Sequence, residues 1–221
     1  MEVHQHPSPN AGPRRDGLSP RFVVLHYTAM ATAEAAIDRL CDPASEVSAH
    51  YVICKSGRVT QLAAEGARAW HAGAGEWMGL RDMNSRSIGI ELDNDGLGPF
   101  AAPLMASLET VLDRVLRGWD IPAQNVIGHS DMAPGRKVDP GPWFDWPRLE
   151  ARGLAGRRGT DQGPQNPSHA AFAQIAQQAG YTASADPETV LAAVRMRYRP
   201  FARGPLSAAD FTPIGHSALW S

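Results

Sequence analysis

An α/β fold, with a mixed central sheet flanked by helices and a small C-terminal all-α module, is what the pattern of this 221-residue chain predicts. Three observations carry the prediction. "RFVVLHY" is an unbroken apolar run of strand length, β-branched at Val23 and Val24, as in a strand buried on both faces. Leu108, Val111, Leu112, Val115, Leu116 and Trp119 keep helical spacing between strand-like segments. After residue 155 the composition shifts to "GRRGTDQGPQNPS", a linker by its glycine, proline and charge content, and well-capped helical patterns follow.

In chain order, residues 1–20 are polar and proline-rich and are expected to form a disordered or surface-hugging lead, with His4 and His6 in a mobile tail. The main α/β domain is placed at 21–155. It begins with the "RFVVLHY" strand and a short helix, "ATAEAAIDRLCD", capped by Thr32. "SAHYVICKSGRVTQLA" reads as two strands turning at Lys55-Ser56-Gly57. "GARAWHAGAGEWMGLRDMN" is loop-like, "SRSIGIELDN" is a strand ending in acids and amides, and a helix of about four turns runs from Leu104. "NVIGH" is a last short strand. The linker is placed at 156–167 and the helical module at 168–221. Ser168 and Gly180 bound its first helix, Asp186 and Pro187 open the second, and "TPIGHSAL" is a weaker third. That order, β-α-β-β-loop-β-α-β, contains no internal repeat.

Composition excludes several classes. Lys+Arg 21 against Asp+Glu 23 gives a formal charge of -2, without the basic footprint of a nucleic-acid partner. Cys41 and Cys54 are too few and too isolated for a disulfide framework, and read as small buried hydrophobes. No run approaches the roughly 18 apolar residues of a membrane span. The N-terminal stretch has neither the apolar core of a secretory signal nor a lipid-attachment cysteine, so a cytoplasmic protein is expected.

The first strand ends at His26 and the last at His129, with Asp139 ten residues further on in "GHSDMAPGRKVDPGPWFDW". Two imidazoles and one carboxylate are the set that leaves a coordination position of zinc open for water. Spacing alone leaves the alternative of hydrogen-bonded structural histidines equally open. Glu91 follows the buried-looking "SIGI" run and is poorly placed as a mere surface charge, whereas Lys137 on its own would read as a solvated loop cation.

"VVLHYTA", "SAHYVI", "AWHAG", "SIGIELDN" and "GHSDMAPGRKVDPGPWFDW" occur in that order, and the chain from about 20 to 150 resembles the zinc-dependent N-acetylmuramoyl-L-alanine amidases of the amidase-2 family. That family shares its fold with the peptidoglycan recognition proteins. "VLAAVRMRYRP" further resembles the C-terminal peptidoglycan-binding-like module of one branch of the family. The resemblance implies that His26, His129 and Asp139 hold zinc, that Glu91 is the catalytic glutamate and that Lys137 supports the oxyanion. Amide hydrolysis at neutral pH needs an activated water, which zinc supplies by lowering its pKa to about 7. A carboxylate must move the proton and positive charge must meet the oxyanion. The Gly and Pro residues of "APGRKVDPGP" then have a purpose, stiffening the loop that presents Lys137 and Asp139.

His50 is read as a residue supporting the ligands or facing the core. Trp70, His71, Trp77 and Asn94 are read as substrate contacts, since a sugar-peptide needs an apolar platform and amide hydrogen bonds. Tyr27, next to a ligand on a strand, should point to the opposite, core face. The expected substrates are muropeptides, with soluble 1,6-anhydro forms favoured over murein because the chain lacks the export signal of that branch. Rival readings are a non-catalytic muropeptide-binding protein of the same fold and a structural wall anchor using the C-terminal helices.

Overall fold

The computed structural model describes residues 2–215. Its main sheet has six strands in the order β1-β5-β4-β7-β3-β8. These are β1 (Val3–Gln5), β3 (Phe22–Tyr27), β4 (Tyr51–Ile53), β5 (Val59–Gln61), β7 (Ser87–Leu92) and β8 (Val126–Gly128). Only the β4–β5 hairpin is antiparallel; the other pairings are parallel, so the sheet is mixed as expected. A second, two-stranded sheet pairs β2 (Ala11–Pro13) with β6 (Ala67–Ala69).

Side-chain alternation assigns the two faces of the sheet. Val23 and Leu25 of β3, and Ile88, Ile90 and Leu92 of β7, pack under the long helix α3 (Ala102–Trp119) and the short α5 (Trp146–Ala151). The apolar stripe predicted from Leu104 onward is buried there from Leu104 to Leu116. Phe22 and Val24 point the other way, with Ile127 of β8. That second face is covered near β4 by α1 (Ala33–Cys41), whose Ile37 and Leu40 meet Val52 and Leu62. Near β8 it is covered by α6 (His169–Gln178) and α7 (Pro187–Tyr198). The short helices α2 (Met83–Arg86) and α4 (His129–Met132) follow the tryptophan-rich loop and β8.

The helix boundaries follow their capping chemistry. Thr32 accepts from Ala35 N, Ser168 from Ala171 N, and Asp186 from Glu188 N and Thr189 N. Gly180, at φ 111°, ends α6 in a conformation that side chains resist, and a Cβ there would also strike the Trp77 ring.

Several expectations change. The lead is ordered: β1 extends the sheet, Asn10 is buried, and Arg14 donates to the carbonyls of Glu65, Asn84 and Ser87. A single guanidinium satisfying three carbonyls fixes a polar segment that hydrophobic periodicity cannot predict. The helices expected as an appended module share one core with the sheet, Phe172, Val190, Leu191 and Val194 packing with Phe22, Val24, Ile127 and Met132. The linker is pinned as well, with Arg158 paired to Glu150 and Gly159 N bonded to Pro213 O. Of the third helix, Thr212–Ile214 forms a 3-10 turn, and the remainder from His216 lies outside the described residues. Cys54 is buried, while Cys41 is only half-buried, and both are free.

Candidate active site and metal centre

The second face of the sheet delivers the site. His26 continues the Phe22–Val24 side of β3, and Glu91 continues the Ser87–Gly89 side of the neighbouring β7, where the two are register partners. His129 follows β8 as the first residue of α4 rather than as the strand's last. All three sit at the carboxyl ends of parallel strands, where open α/β sheets place their ligands. Asp139 comes from the loop after α4, and its carbonyl accepts from Ser130 N, which ties the loop to the helix.

His26 Nδ1, His129 Nδ1 and Asp139 Oδ2 form a triangle with every side 2.9 Å, and all three residues are buried. Among the described residues this is the one cluster of His, Cys, Asp or Glu donors close enough to hold a metal ion.

The protons can be placed by following donors. Ser87 Oγ donates to Met83 O, so toward His71 Nε2, 3.2 Å away, the serine oxygen accepts. His71 therefore carries its proton on Nε2 and accepts at Nδ1 from His26 Nε2, at 3.0 Å. That leaves His26 Nδ1 as a bare lone pair. His129 donates from Nε2 to Ala72 O at 2.9 Å, leaving its Nδ1 bare too. Two imidazole lone pairs and a carboxylate oxygen facing one another at 2.9 Å repel unless a cation lies among them. The donor set is that of a catalytic zinc site, three protein ligands with one position open. The residues fit the metal.

The electrostatics agree. Burial, and then the His129 ring, lower the His26 imidazole to about 4, so it stays neutral and able to ligate. Burial opposes ionisation of Asp139, and only protons or positive charge on the His129 and His26 side hold its carboxyl far below the usual carboxylate range, which is the place a cation among the three donors would take. Glu91 is pushed the other way: burial, then the Asp139 charge, raise it well above that range, offset only in part by Lys137. Its Oε2 is buried without a hydrogen-bond partner. An orphaned carboxylate oxygen beside three convergent donors is costly to the fold and is a signature of chemistry rather than packing.

These groups line a pocket of about 390 Å³ that includes His26, Trp70, Glu91, His129, Lys137 and Asp139. Trp70 stands half-buried in its wall, clamped through its backbone to Ser48. His71 borders the pocket, but both its ring nitrogens are engaged behind His26 and its ring lies against Gly89, where a Cβ would come within 2.3 Å. His50 is wholly buried and touches none of the three donor residues; it accepts from Gly89 N and donates to Ala67 O. Tyr27 packs on the α3-side core, as alternation requires, and also lines the pocket.

Two expected substrate contacts are corrected. Trp77 is 5% exposed and stacks edge-on against Tyr181 at 4.9 Å, because the C-terminal helices claim its face. Asn94 is buried and spends its amide on its own loop, donating to Gly98 O and Pro99 O and accepting from Gly96 N.

Sequence reasoning missed Ser87, which sets the tautomer chain, Asn84, whose Oδ1 accepts from His71 N and Ala72 N, and Arg136, which donates to Ala72 O from the Asp139 loop. One signal was available. Ser87, Gly89 and Glu91 alternate as small, small, acid on one strand face, which marks close approach by another group.

The comparisons with known proteins follow this geometry. The profile of the N-acetylmuramoyl-L-alanine amidase family matches residues 16–142. The 1,6-anhydro-N-acetylmuramyl-L-alanine amidase AmpD of Salmonella typhimurium is 33% identical over 168 residues, covering 68% of this chain and 90% of that protein. The N-acetylmuramoyl-L-alanine amidase AmiD of Escherichia coli is 34% identical over 150 residues, covering 61% of this chain and 53% of that protein. The structure of E. coli AmiD, in complex with the substrate anhydro-N-acetylmuramic acid-L-Ala-D-gamma-Glu-L-Lys, superposes with a TM-score of 0.80 at 28% identity, covering 92% of this chain and 90% of that one. AmpDh3 from Pseudomonas aeruginosa, in complex with anhydromuramic pentapeptide, gives 0.79 at 30% identity, covering 90% and 91%. The matched profile runs over more than half of the chain and takes in both histidines, Glu91, Lys137 and Asp139, and the chain belongs to the N-acetylmuramoyl-L-alanine amidase family.

Proposed function

We propose that the chain hydrolyses the amide between the lactyl carbonyl of N-acetylmuramic acid and the L-alanine of muropeptide stem peptides, with zinc held by His26, His129 and Asp139. The observation that carries the reading is the convergence of three bare donor atoms beside the unpartnered Glu91 carboxylate. A 1,6-anhydro-muramyl peptide is the proposed substrate, supported by the activity named for AmpD and by the ligands bound to AmiD and AmpDh3. The setting proposed with it is the recycling of wall fragments in the cytoplasm. Among the described residues no helix is long and apolar enough to cross a membrane.

Zinc, when bound, supplies Lewis acidity and lowers the pKa of water to about 7. The chain's own residues do the rest. Glu91, whose buried carboxylate has a raised proton affinity, takes the proton of the attacking water and returns it to the leaving L-alanine nitrogen. Lys137, in the same pocket wall, places positive charge where the oxyanion develops. His71 holds the His26 ring and Ala72 O holds the His129 ring, so the ligands need no reorganisation. Trp70 supplies the apolar wall for the substrate. A protein that only bound muropeptides would gain nothing from keeping Glu91 unpaired.

Mass analysis of products from an anhydro-muropeptide and from intact sacculi, with and without chelator, tests the reading. Release of free stem peptide should stop on chelation and return with zinc; full activity in metal-free protein would overturn it. His26→Ala should lose the metal. Glu91→Gln should keep the metal and lose at least about 100-fold in rate. Lys137→Met should lower kcat about 10²- to 10³-fold with KM much less changed.

A further inference from the structure

Beside the catalytic pocket lies a second cavity of about 740 Å³, walled by α7 and the segment 201–206. Val138, one residue before Asp139, lines both cavities, so a single side chain stands between them. Two of its lining side chains are exposed and apolar, Val138 at 54% and Phe201 at 47%, and Trp143, 40% exposed, stands just outside the lining against Phe201. Trp143 and Phe201 pack edge-to-face, with centroids 4.7 Å apart. Large aromatics are normally drawn inward, and a contiguous exposed patch of them beside a cleft marks a binding surface.

Phe201 adds an independent observation. It sits at φ 70°, a left-handed conformation that costs a bulky side chain free energy. The chain holds that strain at a residue contributing little to the core, and the result is that its ring lies on the rim beside Trp143.

The chemistry of the walls selects the ligand. Arg195 is consumed by Asp210 and by the carbonyls of Gly204 and Pro205. The other charged residues lining the cavity, Glu188 and Arg203, oppose each other. A cavity with little net charge beside the Phe201 and Trp143 rings suits a neutral polyhydroxylated ring, whose C–H face packs on the aromatics while its hydroxyls can meet His169, Glu188 or Arg203 of the lining. The peptide half of a muropeptide is anionic and has cations in the catalytic pocket itself, where Arg39 and Arg136 line the wall. A 1,6-anhydro-muramyl ring has no free anomeric carbon, so any further sugar must extend from its other end.

We infer that Trp143 and Phe201 form a saccharide subsite for the N-acetylglucosamine ring attached to the muramyl residue, so that the chain favours disaccharide or longer glycan substrates over a lone anhydro-muramyl peptide. This inference rests on the proposed amidase reading.

The test compares the full chain with Trp143→Ala and Phe201→Gly, the latter because glycine accepts the left-handed backbone. On a disaccharide muropeptide, KM should rise about five- to tenfold in each variant with kcat unchanged. On the single-sugar substrate both constants should stay within twofold. No change on the disaccharide, or equal change on both substrates, would overturn the subsite. Calorimetry with peptide-free N-acetylglucosamine oligomers separates this failure from that of the amidase reading. If the chain cuts neither substrate yet binds the oligomers, and Trp143→Ala abolishes that binding, the subsite stands while the activity falls. No binding by the parent chain removes the subsite whatever the activity.

Discussion

The two faces of the central sheet are finished differently. Under α3 and α5 the contact with the sheet is apolar, Val23, Leu25, Ile88, Ile90 and Leu92 meeting Leu104, Leu108, Val111, Leu112 and Val115, and the Glu109 pairs with Arg148 and Arg152 join the helices at the side away from it. On the other face the helices α6 and α7 complete an apolar core but also bury charge. Arg197 of α7 pairs with Asp131 at 2.6 Å, donates to Val126 O and lies 4.2 Å over the Trp146 ring. Asp131 also accepts from Tyr181 Oη and Gly128 N. The first face supplies stability that depends little on direction. The second fixes position, because Asp131 stands two residues after His129, a candidate ligand, and every one of its bonds orients the turn that carries both. A buried ion pair adds little net stability, yet leaving one partner unmatched is costly. Its use here is geometric.

Removing the second face's cover should have the largest effect. A chain ending at residue 155 exposes Phe22, Val24, Ile127 and Met132 to water. It should show no cooperative thermal transition and no stoichiometric zinc binding; a folded, zinc-loaded fragment would show that α6 and α7 are dispensable. Next comes a matched pair of substitutions, one on each face. Arg197→Met keeps volume but strands Asp131, and should cost about 3–5 kcal/mol and weaken zinc affinity measured by chelator competition. Leu112→Ala should cost about 2–5 kcal/mol through its cavity and leave that affinity unchanged. Equal loss of zinc affinity in both would erase the distinction between the faces.

The smallest effect concerns acid. Burial lowers His50 to about 3, against the opposing hydrogen bond to Ala67 and with help from the nearby Arg14 charge. In the unfolded chain it titrates near about 6.5. The unfolded state therefore binds the extra proton, and stability that is complete above about pH 6.5 is lost as pH falls toward about 3. His50→Gln can keep the bonds to Gly89 N and Ala67 O without titrating. Its unfolding free energy should fall less steeply over that window, by up to one proton in the slope; an unchanged slope would mean that His50 is not buried neutral.

How far the sequence could be read follows from the range of the forces involved. The β3 run, the α3 stripe and the caps at Thr32, Ser168 and Asp186 were legible because periodicity and capping act within a few residues. The three candidate ligands were legible because histidines at strand ends and an acid in a stiffened loop leave a linear trace that the family resemblance then sharpens. Trp77 and Asn94 were misplaced because a tryptophan in a glycine-rich loop, or an amide after a strand, reads the same whether it meets substrate, a distant helix or its own loop. Arg14 was invisible: nothing local distinguishes an arginine that serves three carbonyls some 50 to 70 positions away.

By itself, then, the sequence determined the strand and helix segments, the near-neutral charge and the residue types of a candidate His-His-Asp metal set, all of which are properties of short windows or of composition. Only the tertiary structure decided that His71 braces His26 while bordering the pocket, that Glu91 keeps an unpartnered oxygen, and that the C-terminal helices finish the sheet and brace the His129 turn. Each of those depends on which distant groups exclude water from a side chain and which hydrogen bonds remain for it, and that is fixed when the layers close.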